Sequence, residues 1–466
     1  MFARMRWVLW LCLCSGHLFA QTTHTLPPAV LEALKAARLP ADALSVVVQP
    51  VQPASVRLQH QAQVPRNPAS LLKLVTTTAA LDKLGTTFTW RTPVYVEGQL
   101  RDGVLRGNLY LQGSGDPRLG VEQLWLLLRR VQGLGIQQVQ GDIVLDRSVF
   151  NLPATDPGGF DGEPLRPYNA APDGLLVNFK SVLLQFVPDP ANKLARVHVE
   201  PPLAGVKWPV TVPLSSAECS DYRGGLKADF SNPLQVVFAG SYPLACGEKT
   251  WPLAYADPSR FAARAVHGMW LQLGGQLSGS VREGSVPSGL TPMLFHESPT
   301  LAEVVRDINK YSNNVMAEQL FLTLAAQQRA PATFAQASET LQTWWRERLP
   351  ALPAPQLDKG SGLSRDTRIS AQSLAGLLQW AWMQSFMPEL AASLPVTGLD
   401  GTMKRSKSSA VAHLKTGSLR DVMGIAGYVD AANGQRFVLV AIVNHANANQ
   451  ARPVLDALID WTAGKP

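Results

Sequence analysis

Apolar residues follow helical spacing in some parts of the chain and strand spacing in others. Near the start, residues 28–38 predict a helix, and the Val-rich run 44–51 predicts a strand. The next segment predicts a helix that ends near Gly85. Asn67 suits its N-cap and Pro68 its first position, where a missing N–H costs nothing. Apolar residues face several sides of this helix, which predicts that it is buried: Leu71, Leu72, Leu74, Val75 and Leu81.

The pattern changes between residues 86 and 285. Short alternating runs punctuated by Gly and Pro predict strands over 90–96, 104–111, 141–145, 195–199 and 235–239. Two segments with helical spacing interrupt them, 121–132 and 258–273. This mixture predicts one or two inserted modules that are mainly β or α+β.

Helical spacing returns from residue 301. It predicts helices over 301–308, 314–326, 332–348 and 370–383. Strands are then predicted over 412–419, 422–429 and 436–444, the last two joined by an Asn-Gly turn, before a closing helix over 453–461.

The two ends of the chain therefore share one pattern, and the middle has another. We predict an α+β protein in which a discontinuous catalytic domain, an antiparallel sheet flanked by helices, is split by the inserted modules. Its first part spans residues 21–85, the inserted modules span 86–285, and its second part spans 286–466.

The N-terminus has the features of a secretory signal peptide over residues 1–20. Arg4 and Arg6 precede the apolar run 7–14, and Ala20 suits the cleavage site. The run is too short to span a bilayer, and no later segment offers about 20 uncharged apolar residues. We therefore expect an exported protein without a transmembrane anchor, located in the periplasm.

The cysteines that follow the signal peptide are Cys219 and Cys246. An even pair in an oxidising compartment predicts a disulfide, and two free buried thiols are the alternative. The formal charge is +7, from 42 basic and 35 acidic residues. Because this excess is spread along the chain without a basic run, it indicates weak attraction to anionic wall polymers, and no nucleic-acid partner is expected.

Ser70 and Lys73 lie three residues apart in the buried helix, so they share one face and can contact each other. The Ser70 N–H lies in the first turn, where it can face an oxyanion. This pairing predicts a nucleophile and its base. The alternative is that Ser-x-x-Lys is a common pair with no catalytic meaning.

Two further motifs follow in the order that a serine–lysine acyl-transfer site requires. Ser312-Asn313-Asn314 is predicted to lie between two helices, and Lys415-Thr416-Gly417-Ser418 on the strand that begins the C-terminal hairpin. Gly417 would let a ligand backbone lie against this strand. The set Ser-x-x-Lys, Ser-x-Asn, Lys-Thr-Gly is typical of penicillin-binding proteins and class A β-lactamases.

At this level of detail the chain resembles the class C low-molecular-mass penicillin-binding proteins, the D-alanyl-D-alanine carboxypeptidase/endopeptidases of penicillin-binding protein 4 type. The long insertion between Lys73 and Ser312 matches that family, and Lys359 departs from it, since the family usually carries Asp there. Further segments support the resemblance: 111–117, Tyr168-Asn169-Ala170, 360–365 and 398–402.

The residues predict the chemistry, and the resemblance assigns them the same roles. Ser70 attacks a peptide carbonyl, and Lys73 takes the proton of Ser70. Lys73 can act as this base because burial and a nearby cation, Lys415, lower the pKa of Lys73. Ser312 relays a proton to the leaving amine, and Asn314 holds the substrate backbone. The terminal carboxylate of the substrate meets Lys415, Thr416 and Ser418. The N–H groups of Ser70 and Ser418 form the oxyanion hole.

We therefore predict a serine-type D-alanyl-D-alanine carboxypeptidase/endopeptidase that acts on peptidoglycan stem peptides and cross-links and is acylated by β-lactams. No metal or organic cofactor is expected, because the histidines are scattered without ligand spacing. A β-lactamase, which would need a water-activating acid, and a catalytically weak peptidoglycan-binding scaffold are the alternatives. A homodimer is left open.

Overall fold

The computed structural model describes residues 25–52 and 55–464. The predicted signal peptide lies outside the described residues. The first elements are α1 (Pro28–Ala36), β1 (Leu44–Pro50), β2 (Leu58–His60) and α2 (Lys73–Leu84). The helix over 28–38 and the strand over 44–51 are thus confirmed, and α2 ends before Gly85 as predicted.

The start of the buried helix differs from the prediction. A 3-10 turn, Ala69–Leu72, precedes α2, so Asn67 is not the N-cap and Pro68 is not the first α-helical residue. Ala69 has a φ of +47°, a left-handed conformation that an α-helix cannot continue through. Asn67 still caps the turn locally, because its Oδ1 accepts a hydrogen bond from the Ala69 N–H at 2.9 Å.

The middle of the chain contains short strands and three helices among the described residues. They are β3 (Arg91–Arg101), β4 (Val104–Gln112), α3 (Val121–Gly133), β5 (Gln138–Val139), β6 (Ile143–Asp146), β7 (Ser181–Asp189), β8 (Leu194–Glu200), β9 (Thr211–Ser215), α4 (Tyr222–Gly225), β10 (Ala228–Asp229), β11 (Val237–Phe238), β12 (Tyr242–Pro243), β13 (Lys249–Ala254), α5 (Phe261–Gln272), β14 (Gln276–Leu277), β15 (Val281–Glu283) and β16 (Leu294–Glu297).

These strands form two larger sheets around a shared apolar core. One has the order β14-β5-β4-β3-β16, with β6 paired to β4 and β15 paired to β6, and the other has the order β12-β9-β8-β7-β13. Because β16 pairs with β3, this region continues past residue 285, where the sequence places its end. Cys219 and Cys246 form a disulfide within it, with an S–S distance of 2.13 Å.

The rest of the chain is helical before it returns to strands. The elements are α6 (Leu301–Tyr311), α7 (Asn314–Ala326), α8 (Phe334–Arg348), α9 (Ala371–Trp382), α10 (Met387–Ser393), β17 (Ala412–Leu419), β18 (Val422–Asp430), β19 (Arg436–Asn444) and α11 (Arg452–Thr462). All match predicted elements within a few residues except α10, a short helix that the spacing did not predict.

One antiparallel sheet joins the two ends of the chain, in the order β17-β18-β19-β1-β2. The seven residues of β1 pair with β19 from Leu44 opposite Val443 to Pro50 opposite Phe437. Helices α1 and α11 pack on one face of this sheet, and α2 with α6 to α9 pack on the other. We propose that this sheet and its helices form one discontinuous domain, with the middle region inserted after α2.

The two faces of the sheet explain where the motifs lie. Side chains alternate along a strand, so Val46 and Val48 face α1 and α11 while Val47 faces the opposite side, where α9 contacts β1. α2 is therefore buried between the sheet and α7, and β17 remains at the edge of the sheet beside the 3-10 turn. No helix in residues 25–52 and 55–464 is long and apolar enough to cross a membrane.

Candidate active site

Ser70 lies in the 3-10 turn before α2, held from both sides by buried neighbours. Leu71 and Leu72 are buried in the core beneath it, and Ala69 is fully buried with left-handed backbone. A Cβ at Gly362 would lie 2.0 Å from the Ala69 carbonyl oxygen, so only glycine allows that loop to pack against the turn. The local backbone strain at Ala69 presents the Ser70 side chain to a cleft.

Lys73 is fully buried one turn after Ser70, and its Nζ has three oxygen neighbours. They are Ser70 Oγ at 2.9 Å, Asn314 Oδ1 at 2.6 Å and the Ser361 carbonyl oxygen at 2.8 Å. The amide and carbonyl oxygens can only accept hydrogen bonds, so they take two N–H groups of a neutral amine. The lone pair of that amine then points at the Ser70 hydroxyl, which is the geometry a general base requires.

Burial sets the protonation of both lysines at the site. Desolvation lowers the pKa of Lys73 to about 7, against a smaller opposing effect of the Glu318 carboxylate. The pKa of Lys415 is also well below its usual value, first through burial and then through the nearby charge of Lys73. Neutral Lys73 is therefore well populated near neutral pH, which an exposed lysine would not allow.

Glu318 is a buried carboxylate that the sequence analysis missed. Its two oxygens accept hydrogen bonds from the Gly360 and Ser361 N–H groups, each at 3.0 Å. Burial raises its pKa, and those hydrogen bonds oppose the shift. Glu318 thus holds the loop whose Ser361 carbonyl contacts Lys73. A signal was present in the sequence, because Glu318 is the charged residue of a largely apolar helix and lies four residues after Asn314 on the same face.

Replacing Glu318 by Gln is expected to move the acid limb of the acylation profile to lower pH. The carboxylate favours protonated Lys73, which is the inactive form, so its removal lowers the pKa of Lys73 further below about 7. The measurement is the rate of acylation by a chromogenic cephalosporin between pH 5 and 9 (roughly the range in which such a lysine titrates). Exposed Glu339 gives the matched control, E339Q. An unchanged limb in E318Q would contradict this role.

Ser312 lies at the junction of α6 and α7, where the chain must turn sharply. Ser312 has a φ of +57° and ends α6, and Asn313 caps α7 by accepting a hydrogen bond from the Met316 N–H at 3.1 Å. Asn314 is the first residue of α7. Its Oδ1 accepts from Lys73, and its Nδ2 donates to the Tyr168 carbonyl oxygen at 3.1 Å. The structure therefore brings Ser312 and Asn314 to the same place as Ser70 and Lys73.

Lys415 points from β17 toward Ser312. Its Nζ is buried and donates to Ser312 Oγ at 2.8 Å and to the Thr416 carbonyl oxygen at 2.7 Å. The sequence predicted a cation that lies near Lys73 and meets a carboxylate, and the structure places this buried amine behind Ser312. Each lysine is thus hydrogen-bonded to one of the two serines.

The free edge of β17 borders the cleft from Lys415 onward. Before that point, the segment at residues 395–397 pairs with it, since Leu414 N–H donates to Pro395 and Thr397 N–H to Ala412. Backbone groups that face one side of a strand recur every second residue, so those of Thr416 and Ser418 face the same free side. The Ser418 N–H is therefore directed to the cleft that Ser70 lines.

The reason for a glycine at position 417 differs from the prediction. A Cβ there would lie 2.5 Å from the Pro68 carbonyl oxygen and 3.0 Å from Leu71 Cγ. Gly417 is therefore needed so that the 3-10 turn carrying Ser70 can approach the strand, not to make room for a ligand backbone. The prediction was wrong because the side of the strand that Gly417 faces is filled by the protein itself.

The cleft has a volume of about 630 Å³ and is lined from both the catalytic part and the inserted region. Ser70, Ser312, Asn314 and Ser418 form its floor. Phe160, Asp161 and Tyr168 come from the inserted region, and the Arg365 guanidinium lies 4.7 Å from the centre of the Phe160 ring. The inserted region therefore forms one wall of the candidate active site.

Comparison with known proteins gives a consistent picture. A family model described as the D-Ala-D-Ala carboxypeptidase 3 (S13) family matches residues 28–465. The D-alanyl-D-alanine carboxypeptidase DacB of Haemophilus influenzae is 25% identical over 394 residues, which cover 81% of this chain and 80% of that protein. The D-alanyl-D-alanine carboxypeptidase of Actinomadura sp. strain R39 is 26% identical over 82% of this chain and 74% of that protein.

Solved structures confirm the predicted fold class. Penicillin binding protein 4 (dacB) from Haemophilus influenzae superposes with a TM-score of 0.74 and 22% identity, over 93% of this chain and 98% of that one. A second structure of that protein, complexed with a novel β-lactam, gives a TM-score of 0.70 at 21% identity, over 94% and 98%. At this identity the superposition establishes a shared fold.

Proposed function

Because the chain belongs to the D-Ala-D-Ala carboxypeptidase 3 (S13) family, we propose that Ser70 is the nucleophile of its serine-type D-alanyl-D-alanine carboxypeptidase activity. The chain is a serine hydrolase, and the resemblance to penicillin-binding protein 4 enzymes is confirmed. The observation that supports Ser70 most strongly is the 2.9 Å contact between its Oγ and the buried Lys73 amine.

Acylation begins with the removal of a proton from Ser70. Neutral Lys73 takes that proton as Ser70 Oγ forms a bond to the carbonyl carbon of the penultimate D-Ala. The N–H groups of Ser70 and Ser418 stabilise the resulting oxyanion. The C–N bond then breaks, and the proton that Lys73 accepted returns through Ser312 to the leaving nitrogen. These steps leave an ester on Ser70 and a neutral Lys73.

Deacylation reuses the same groups. Lys73 accepts a proton from water while the water oxygen forms a bond to the acyl carbon. The bond to Ser70 Oγ breaks, and the oxygen regains its proton from Lys73. With a β-lactam, opening of the ring leaves the same type of ester. We propose that such adducts persist, as in an inhibited enzyme.

The terminal carboxylate of the substrate is bound at the free edge of β17. Thr416 and Ser418 provide hydroxyl and N–H donors there, and Lys415 lies directly behind them. An incoming carboxylate favours the ammonium form of Lys415, because it supplies the negative charge that the buried amine lacks. Lys415 thereby serves both the carboxylate and Ser312.

Substitution of Lys415 by Met is expected to slow the hydrolysis of all substrates. The loss should be largest for substrates with a free terminal carboxylate. The general loss follows from the missing contact to Ser312 at 2.8 Å, and the additional loss from the missing charge. The measurement compares kcat/KM for a D-Ala-D-Ala peptide and for its C-terminal methyl ester. Equal losses on the two substrates would contradict the carboxylate role.

The β-lactamase alternative requires a carboxylate that activates water in the cleft. Among the described residues that line the cleft, Asp161 carries a carboxylate. Its two oxygens accept hydrogen bonds from the Tyr168 hydroxyl and the Asn169 amide, each at 2.8 Å. Glu318 is occupied by two backbone N–H groups. The scaffold alternative is disfavoured by a complete serine–lysine geometry. Rapid turnover of benzylpenicillin would favour the β-lactamase.

We further propose that the chain is exported to the periplasm after cleavage behind Ala20 and acts there on cross-linked as well as linear stem peptides. The wall formed by the inserted region restricts what reaches Ser70, so it governs the balance between carboxypeptidase and endopeptidase activity. A β-lactam complex of the Haemophilus influenzae protein supports antibiotics as ligands.

Incubation of the mature protein with purified muropeptides tests this function. Mass spectrometry is expected to show loss of D-Ala from monomeric pentapeptides and conversion of cross-linked dimers to monomers. Release of D-Ala without cleavage of dimers would restrict the function to a carboxypeptidase. No release and no β-lactam adduct would overturn the proposal.

A further inference from the structure

A second cavity lies in the inserted region, between α3 and the sheet edge formed by β3 and β16. It has a volume of about 430 Å³. None of the described residues that line it also lines the cleft of Ser70, so the two sites are distinct. The cavity is lined by Arg91, Leu126, Arg130, Phe295, His296 and Glu297.

His296 is a buried polar side chain in the wall of this cavity. The residue is 3% exposed, and neither ring nitrogen has a hydrogen-bond partner within residues 25–52 and 55–464. His296 pairs with Thr92 across β16 and β3, so both side chains face the same side of the sheet. The buried Thr92 hydroxyl also has no partner among those residues. Because buried polar groups are normally hydrogen-bonded, two such groups side by side favour a bound ligand.

The charged groups that face His296 leave one cation without a counter-charge. Arg130 lies in the last turn of α3, and its side chain forms no hydrogen bond or ion pair with a residue that the structure describes. Arg91 on β3, in contrast, is paired with Glu297 at 2.8 Å. Burial and then the charge of Arg130 lower the pKa of His296, and the Glu297 carboxylate opposes them. An anion between Arg130 and His296 would supply what both side chains lack.

The surroundings narrow the anion to a single carboxylate on a small apolar unit. A guanidinium binds a carboxylate through two parallel hydrogen bonds, and His296 adds an N–H donor in either tautomer. Glu297 at the rim disfavours the second negative charge that a phosphate monoester carries. Leu126 and Phe295 are exposed apolar side chains that can contact the group bearing the carboxylate. A peptide that ends in D-Ala has this chemistry, a carboxylate beside a methyl group.

We propose that this cavity is a second binding site for the terminal carboxylate of a peptidoglycan stem peptide, with Arg130 and His296 as the residues that bind it. The wall polymer carries many stem peptides, so a stem bound here keeps others near Ser70 and raises their effective concentration. The identity of the polymer rests on the proposed function, whereas the preference for a carboxylate rests on the cavity alone.

Binding is measured on protein first acylated with benzylpenicillin, so that the Ser70 cleft is occupied. The probes are N-acetyl-D-Ala-D-Ala, its C-terminal amide and inorganic phosphate, each titrated by ligand-observed NMR. The acid is expected to bind about tenfold more tightly than the amide, the effect of one charge-assisted hydrogen bond. Equal binding of acid and amide, tighter binding of phosphate, or no binding of the acid at about 10 mM would overturn the proposal.

Two neighbouring arginines on α3 provide a variant and its matched control. R130Q removes the unpaired cation, and R129Q changes an exposed arginine that does not line the cavity. R130Q is expected to weaken binding of the acid about tenfold, and R129Q to leave it unchanged. Equal effects of the two variants would overturn the role of Arg130. If benzylpenicillin forms no adduct, the proposed function fails, and the same comparison on unmodified protein still decides this site.

His296 is tested by the pH dependence of binding. A bound carboxylate favours the imidazolium form, so the acid should bind more tightly as the pH falls from about 8 to about 6. H296L should lose this dependence. Since the imidazole has no partner among the described residues, H296L should also unfold at or above the wild-type temperature. A retained pH dependence, or a clear fall in unfolding temperature, would contradict a ligand-binding role of His296.

Discussion

Substitution of Ser70 by Ala is expected to abolish covalent labelling by a fluorescent penicillin and all release of D-Ala. The adduct needs an oxygen nucleophile at this position, and no other described hydroxyl is within hydrogen-bond distance of Lys73 Nζ. Ser312 is hydrogen-bonded to Lys415 instead. Activity should fall to the uncatalysed background, a loss on the order of 10⁶ for a nucleophile that acts with its base.

The folded state of S70A provides the control for this result. Ser70 is not part of the buried core, and Leu71, Leu72 and Leu74 keep the turn and α2 in place. The variant should therefore unfold at nearly the wild-type temperature.

Ser361 is a second serine near Lys73, which it contacts through its carbonyl oxygen, and S361A should still be labelled. Retained label in S70A would remove Ser70 as the nucleophile.

Substitution of Lys73 by Met is expected to slow acylation on the order of 10³-fold. Met is close to Lys in size and suits a fully buried position, but it cannot accept the Ser70 proton. The measurement is the second-order rate of acylation by benzylpenicillin, followed by intact-protein mass. A near-normal rate would show that another group acts as the base.

The pH dependence of the wild-type protein checks the same role independently. Lys73 must be neutral to act, and its pKa is about 7, so acylation should rise as pH increases through 7 and should fall below it. K73M has no titrating amine at this position, so its acylation rate should no longer rise through pH 7. The control is R405K, which replaces one exposed cation by another on the loop before β17. It should keep the rise of the acylation rate through pH 7.

Motif order made most of the site predictable from sequence. Ser70, Lys73, Ser312, Asn314 and Lys415 converge because a helix turn, a helix junction and an edge strand have fixed local geometries. Glu318 was not predicted as a site residue, since its contacts with Gly360 and Ser361 join segments that are 42 and 43 residues apart in sequence. Gly417 was misinterpreted for the same reason, because its neighbour Pro68 lies on a different element.

The fold could be predicted to a similar extent, and the longest strands that were missed have a common cause. Several strands between residues 91 and 297 were missed, and the three longest of them, β7, β9 and β13, each contain a proline: Pro188, Pro213 and Pro252. Proline normally argues against a strand, because it cannot donate to a neighbouring strand. Here tertiary pairing overrides that local signal. The antiparallel sheet that joins the two ends of the chain was predictable because both ends share one pattern.

The central claim is that acyl transfer occurs on Ser70. Digestion with trypsin after incubation with benzylpenicillin tests it directly, because cleavage after Arg66 and Lys73 yields peptide 67–73, in which Ser70 is the sole hydroxyl-bearing residue. We predict that this peptide carries the added mass of the antibiotic. An unmodified peptide 67–73, with the adduct on another peptide or absent, would contradict the account.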